Sequence, residues 1–409
     1  MNMKSLGLKL KEFGKQNGVA KTREYLSEAI AKGDIQPNRL SIRGLAEGII
    51  GEQWAETMHR FNGPERMFME STEAVDASNF AAITGQILIT TVKEKFKLAN
   101  FIGDSLVNTI PAGQNLSQEL IPWLSDTTSG SETVEQGMPY PETRFVGNYI
   151  KLPAIEKVGR ICAVTAEMIY ADKTSQALAS AESVGTYCGL AKEERILKTV
   201  MGISGSYVYG KASGGEVSLS TYSASGGQSG LDYGFINQVD SYALSNWASI
   251  NTLEQLFYNM KDPNTGKPIQ IFEPGGMQML VMPFQKYAAS RILNPATTTK
   301  NGPYATSGDV EQLESPNPLD NNYGLMTSAH ARALLISSGV TASTADKYVW
   351  LGNFKKAFVW REAKPLEVVQ APANNWAEFN QDIAVAIKAS WWGAAGVMDP
   401  RFVVRGVPA

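Results

Sequence analysis

Between Thr174 and Val200, small or apolar residues recur at Leu178, Ala181, Val184, Gly185, Cys188 and Ala191, then at Ile196, Leu197 and Val200. This is the three-four spacing of one buried helical stripe, and it predicts a single long helix. At about 1.5 Å of rise per residue the helix spans roughly 40 Å. Asp172, Thr174 and Ser175 precede it with oxygens able to cap its free backbone amides. A helix of this length packed diagonally over a sheet serves as a mechanical beam, but its spacing suits an ordinary core helix equally well.

The sheet such a helix would need is written at the end of the chain. Ile383, Val385 and Ile387 alternate with Ala384, Ala386 and Lys388, the period-two pattern of a strand with one face better buried. Tyr348–Leu351, Ala357–Trp360 and Leu366–Gln370 are predicted as further strands, separated at Gly352-Asn353 and at Lys364-Pro365. Trp391 and Trp392, adjacent on a strand, point one into the core and one outward. At the other end, 1–60 predicts two or three short amphipathic helices, broken at Asn17-Gly18 and at 33–37 and resuming from Leu40 to Phe61. Residues 78–99 suit a helix through Ile83, Ile87, Leu88, Val92, Phe96 and Ala99, despite β-favouring Ile89 to Val92.

From Phe101 to Ile150 there is no lysine and one arginine, Arg144, while Asp104, Glu119, Asp126, Glu132, Glu135 and Glu142 accumulate among prolines and glycines. The pattern predicts a long extended excursion, outgoing near Leu106–Ile110 and returning over Arg144–Leu152. It holds too few apolar residues to make a core of its own, so it should lie on something else. Val158–Thr165 is β-like, Gly202–Gly230 a flexible connection or surface ribbon, and Tyr233–Leu244 and Thr252–Met260 helical. Ile269–Phe272 and Gln278–Met282 are predicted strands, 284–292 a helix, and 294–323 a long irregular loop of the functional or contact-making kind.

Enzyme chemistry is poorly supplied. The two histidines, His59 and His330, stand hundreds of residues apart without a zinc-ligand spacing. Gly202–Gly210 lacks the phosphate-cradling pattern, and no GxSxG elbow occurs. Glu193 and Glu194, beside Lys192 and Arg195, fit a solvated helix face. Basic residues are interleaved with acids and the net charge is −3, so no basic stripe announces a nucleic-acid site. Cys162 and Cys188 are expected as buried thiols in a reducing compartment. Residues 1–15 lack the apolar core and cleavage site of a secretory signal, and no run of about eighteen apolar residues predicts a membrane span.

In order, the helical arm, lysine-poor excursion, strand, long helix, mixed domain and returning strands resemble the major capsid protein of tailed bacteriophages, the Hong-Kong-97-type fold. The resemblance covers roughly 78–404. It rests on EKVGRICAVTAEMI (156–169) leading into the long helix, MQMLVMPF (277–284), and WLGNFKKAFVWREAKPLEVV followed by DIAVAIKASWWGAAGVMDPRFVV. It implies an α+β fold with an N-terminal helical arm (1–100), an extended β-hairpin loop (101–152), and a peripheral domain (153–202) with a spine helix (174–200). A mixed axial domain (203–351) and C-terminal strands completing the peripheral domain (352–409) follow.

The implied function is a coat protein, not an enzyme, forming hexamers and pentamers of an icosahedral head around double-stranded DNA, located in the virion after assembly in the bacterial cytoplasm. The partners are further copies of the chain, a portal, a separate scaffolding protein, a decoration protein and nonspecifically contacted DNA, with no cofactor, metal or membrane. Glu119, Asp126, Glu132, Glu135, Arg144, Lys151, Lys157 and Arg160 are the candidate intersubunit residues, the hairpin acids facing bases near its root. In the long helix, Gly185 and Cys188 should face the sheet and Lys192, Glu193 and Arg195 solvent or a neighbour. Some family members link subunits through a loop lysine; this loop has none before Lys151, which implies noncovalent closure. The rival readings are an encapsulin-like shell around protein cargo, a decoration or tail-tube protein, and a carbohydrate-active enzyme using Trp392 and scattered acids.

Overall fold

The described elements up to Phe96 are all helices. The computed structural model describes residues 3–32, 35, 41–51, 54, 71–96, 101–112, 116–123, 135–138, 147–204, 206–211, 214–224, 228, 231, 233–263, 266–269, 271, 276–293, 297–301, 312–316, 323–371 and 383–409. The fold is α+β, in two compact units. One comprises Met1–Ala99, Lys157–Ala191 and Lys364–Trp392; the other comprises Asn100–Glu156, Lys192–Ala363 and Gly393–Ala409.

In the first unit, α1 (Met3–Ala31) is one run with a break at Gly18, where φ is 81°, a left-handed value that glycine adopts without strain. The break expected at Asn17-Gly18 therefore stands, and it separates two helical segments within Met3–Ala31. α2 (Ile42–Ile49) follows, and 55–61 of the expected second helical stretch lie outside the described residues. α3 (Ser71–Phe96) buries Phe80, Ile83, Ile87, Leu88 and Val92. Its Thr90 and Thr91 hydroxyls donate to the carbonyls of Gln86 and Ile87, both at 3.0 Å, so β-favouring residues sit inside a helix with their polar atoms satisfied.

The predicted long helix is α6 (Thr174–Met201), reached through β4 (Glu156–Thr165) and α5 (Ala166–Tyr170). Two of its three expected capping residues serve another helix. Ser41 Oγ donates to Asp172 at 2.9 Å, and the Ile42 amide donates to Thr174 Oγ1 at 2.7 Å, so Asp172 and Thr174 hold the start of α2. Gly185 faces α3 and not the sheet: a Cβ there would lie 2.5 Å from the Val92 carbonyl oxygen. Cys188 does meet the sheet, its carbonyl accepting the Trp391 indole N–H at 2.9 Å. Both cysteines are buried and free, and burial pushes the Cys162 thiol up to about 11.

One four-stranded sheet has the order β1 (Asn108–Pro111), β13 (Phe358–Gln370), β14 (Ile383–Val397), β4. The alternation at 383–388 continues along β14, burying Val385, Ile387, Ala389 and Trp391, while Trp392 is half-buried. The two strands expected on either side of Lys364-Pro365 are one. β1 pairs with β13 only as far as Pro111↔Glu362, so Pro365 falls beyond that ladder, where its missing N–H costs no bond on that side.

In the second unit, β8 (Met277–Val281) lies between β11 (Tyr323–Thr327) and β12 (Val349–Gly352), and β15 (Val403–Gly406) and β7 (Gln238–Val239) complete a five-stranded sheet. The same unit holds α7 (Trp247–Tyr258), α8 (Lys286–Leu293) and α9 (Ala329–Ser337). Trp350, Phe257, Phe354 and Phe358 are fully buried, each worth about 1.5–3 kcal/mol by area for an aromatic of this kind.

Several expectations fail here. Tyr233–Leu244 is not helical: the Asn237 side chain accepts from Ser223 N (2.8 Å) and donates to Thr221 O (2.8 Å), Ser241 has φ 57°, and Gln238-Val239 joins β15. Ile269 and Ile271 belong to no strand; Ile269 N bonds back to Met260 O at 3.0 Å, closing a turn instead. The 294–323 loop contains an antiparallel pair, β9 (Thr297–Asn301) with β10 (Gln312–Pro316). Gly202–Gly230 forms β5 (Ser206–Gly210) and β6 (Glu216–Ser220), which bury Tyr207, Tyr209 and Leu219.

Candidate functional site

The excursion begins from a built platform in the second unit. β2 (Glu119–Pro122) pairs antiparallel with β3 (Tyr149–Leu152), and β5 and β6 extend them to the sheet β2-β3-β5-β6. The outgoing arm is therefore at Glu119–Pro122 and not at Leu106–Ile110. Asn108–Pro111 is claimed by β13, some 250 residues away in sequence, a partner that local pattern does not reveal. The ladder extends one step further, the Trp123 amide donating to Asn148 O at 2.9 Å.

Two charge clusters, each built on a buried arginine, hold this root. Arg361, on β13, is fully buried; Nη2 lies 2.8 Å from Glu119 Oε2, and Nη1 donates to Ser117 O (3.1 Å) and Pro153 O (2.8 Å). A buried guanidinium is tolerated only when paired in this way. Trp123 donates its indole N–H to Asp399 Oδ2 at 3.2 Å, and Asp399 in turn clasps Arg401 at 2.7 Å. The Arg401 guanidinium lies 4.6 Å from the Trp123 ring centre, and Tyr209 meets that ring edge-on at 5.1 Å. Burial works against the Arg401 charge, but Asp399 outweighs it and holds the guanidinium above its ordinary value.

At the surface of the same sheet Lys151 Nζ sits 3.0 Å from Glu216, which also accepts from Tyr149 Oη at 3.3 Å. The Lys151 hydrogen bond leads in holding the Glu216 carboxyl below the usual range. Lys151, Pro153, Glu156, Arg195, Lys198 and Gly396 help line a cavity of about 610 Å³ beside the root.

α4 (Gly103–Leu106), just before β1, starts on a carboxylate from α6. Glu193 is buried and accepts the Ile102 and Gly103 amides at 3.0 and 2.8 Å, so the solvated position expected for it is corrected: the two donors come from about ninety residues upstream. Lys192, expected to face solvent or a neighbour but mostly buried, reaches the exposed Asp104 at 2.7 Å, and Arg195 reaches the exposed Glu156 at 2.8 Å.

Of the sequence-predicted residues, Glu119 and Lys151 are brought together on the β2-β3 root, each with a partner in its own chain. Glu135 is exposed, and Asp126, Glu132 and Arg144 lie outside the described residues. In the first unit, Lys157 and Arg160 are exposed on β4, over the rings of Trp392 (5.4 Å) and Tyr187 (3.9 Å). Sequence reasoning missed Arg361, Trp123, Asp399 and Arg401; the available signal was a charged residue set directly against the apolar run Phe358–Trp360. Among the described residues no group of three or more His, Cys, Asp or Glu is placed to hold a metal, and no helix is long and apolar enough to cross a membrane. What the root can do is mechanical: paired charges around two buried arginines fix the β2-β3 ladder.

No protein-family model matches the chain, and no curated protein sequence matches it. Solved structures similar to it include the capsid of the cyanophage P-SCSP1u, at 11% identity and TM-score 0.45 over 74% of this chain and 86% of that one. The capsid asymmetric unit of cyanophage Pam1 is similar at 11% identity and TM-score 0.46 over 74% of this chain and 88% of that one. A virus-like particle from Pyrococcus furiosus is similar at 10% identity and TM-score 0.38, over 78% of this chain and 97% of that one.

Proposed function

We propose that this chain is a structural coat subunit, the major capsid protein of a tailed-phage-type head, assembling into hexamers and pentamers of an icosahedral shell around double-stranded DNA. One observation supports the reading: the chain has two unlike surfaces that suit a heterologous contact. One is the hairpin root at β2-β3, from which the lysine-free, acid-rich segment between Trp123 and Asn148 departs. The other is β4, an edge strand among the described residues, on which Lys157, Arg160 and Ile161 are exposed. An unpaired strand edge is a template for another chain, and unlike surfaces that meet head to tail close into rings.

In this reading Asp126, Glu132 and Glu135, with Arg144, lie across a neighbour and meet its Lys157 and Arg160, while Glu119 and Lys151 hold the root in their own subunit. The domain parts follow the same plan: helical arm 1–100, extended loop 101–152, peripheral domain 153–202 with its spine at 174–200, axial domain 203–351 and closing strands 352–409. The subunit works without catalysis or cofactor; portal, separate scaffolding and decoration proteins complete a virion assembled in the bacterial cytoplasm. Such obligate interfaces bury on the order of 2,000–5,000 Å², with charge pairs setting register more than affinity.

The test replaces 124–147 with a two-residue Asn-Gly turn, which suits an antiparallel ladder and keeps Trp123 and β3. The expected outcome is a folded subunit that no longer closes shells; normal shells from this variant contradict the reading. The content of wild-type particles separates the two shells: DNA supports a head, and a protein cargo supports a nanocompartment.

A further inference from the structure

We propose that Glu193 is a proton-operated latch on the turn that leads toward the hairpin. The latch does not depend on the coat-protein reading. Its carboxylate is 3% exposed, with Oε1 on the Ile102 amide and Oε2 on the Gly103 amide. A Cβ at Gly103 would stand 2.5 Å from Oε2, so glycine is what lets the carboxylate come this close. The held turn is short: α4 ends at Leu106, and β1 begins at Asn108.

The groups that face the carboxylate come from three elements. On α6, Lys192 is turned to Asp104 and Arg195 to Glu156, while Glu194 pairs with Lys198. On α4, Asp104 repels the Glu193 charge; on α9, His330, its ring 5.6 Å from that of Phe101, favours it. Burial outweighs the pull of the two amides and holds the Glu193 carboxyl above the usual carboxylate range.

A proton taken from solvent onto either oxygen turns an acceptor into an O–H donor. An amide N–H cannot use it, and one of the two amides, the buried Gly103 or the half-buried Ile102, is left without its acceptor. Because the folded-state value exceeds the unfolded one, the folded chain takes up this proton first as pH falls. Ionised Glu193 therefore subtracts stability increasingly as pH rises from the unfolded to the folded value. Acidification relieves that global cost, and it opens the local clamp because Glu193 stays buried when an amide leaves: the two amides pull its carboxyl down, so the opened turn holds the proton more tightly than the closed one.

The test is hydrogen exchange by mass spectrometry on the full chain, corrected for intrinsic rates, from about pH 7.5 to about pH 4.5. The peptide carrying Ile102 and Gly103 is expected to lose protection about tenfold at acid pH, while the 194–200 segment of α6 keeps its own. Glu193→Gln, which offers one acceptor at every pH, should exchange fast and without pH dependence. Asp104→Asn, a surface change, should move the midpoint to lower pH and keeps the test decisive if the first variant does not fold. Protection of Ile102 and Gly103 that is flat with pH in the wild type, or a midpoint unmoved by Asp104→Asn, overturns the latch.

Discussion

Along the first half of α6, in one unit, the side chains that pack are small and the neighbouring backbone comes close: Ala177, Ala181 and Cys188 are fully or almost fully buried, and Gly185 lies against the Val92 carbonyl. Along the second half, in the other unit, apolar Ile196, Leu197 and Val200 share burial with a charged side chain, Glu193, while Lys192 and Arg195 reach the exposed acids Asp104 and Glu156. One uninterrupted helix thus meets its surroundings by shape at one end and by polar satisfaction at the other. Close packing tolerates no added atom, whereas a polar clamp tolerates atoms but not the loss of an acceptor.

The sharpest way to break this contrast is Gly185→Val. The added carbons meet a backbone oxygen that cannot rotate away, and a loss of about 3 kcal/mol is expected by denaturant titration; a loss within about 0.5 kcal/mol would show that the first half is not tightly packed. Trp391→Phe keeps an aromatic ring but removes the fused pyrrole together with the N–H given to Cys188 O, inside the core. It should cost about 2 kcal/mol in the same measurement, the lost bond and the void together. Arg195→Ala removes a pair whose acid is mostly exposed, and the expected change is within about 0.5 kcal/mol and smaller still in high salt. A large effect there would place the second half's stability in its surface charges and not in its buried contacts.

The same contrast explains what could be read from the sequence. The α6 stripe and the alternation of Val385 and Ile387 were readable because each depends on periodicity within one element. Glu193 was not, because a carboxylate beside Lys192 and Arg195 looks solvated until two amides from residues 102 and 103 arrive. The hairpin's outgoing arm was misplaced for a related reason. Asn108–Pro111 and Glu119–Pro122 are both short strands, and only a parallel pairing with Val359–Glu362 removes the first from contention. At 233–244 helical composition lost to the hydrogen bonds of the Asn237 side chain and an edge pairing with β15. The anchors Trp123, Asp399 and Arg401 carry meaning only together, and their separation in the chain hid them.

The most direct test of the coat-subunit account is negative-stain electron microscopy of the purified full chain as concentration is raised. The account predicts closed shells or capsomer rings. A monodisperse monomer that persists at high concentration would contradict it.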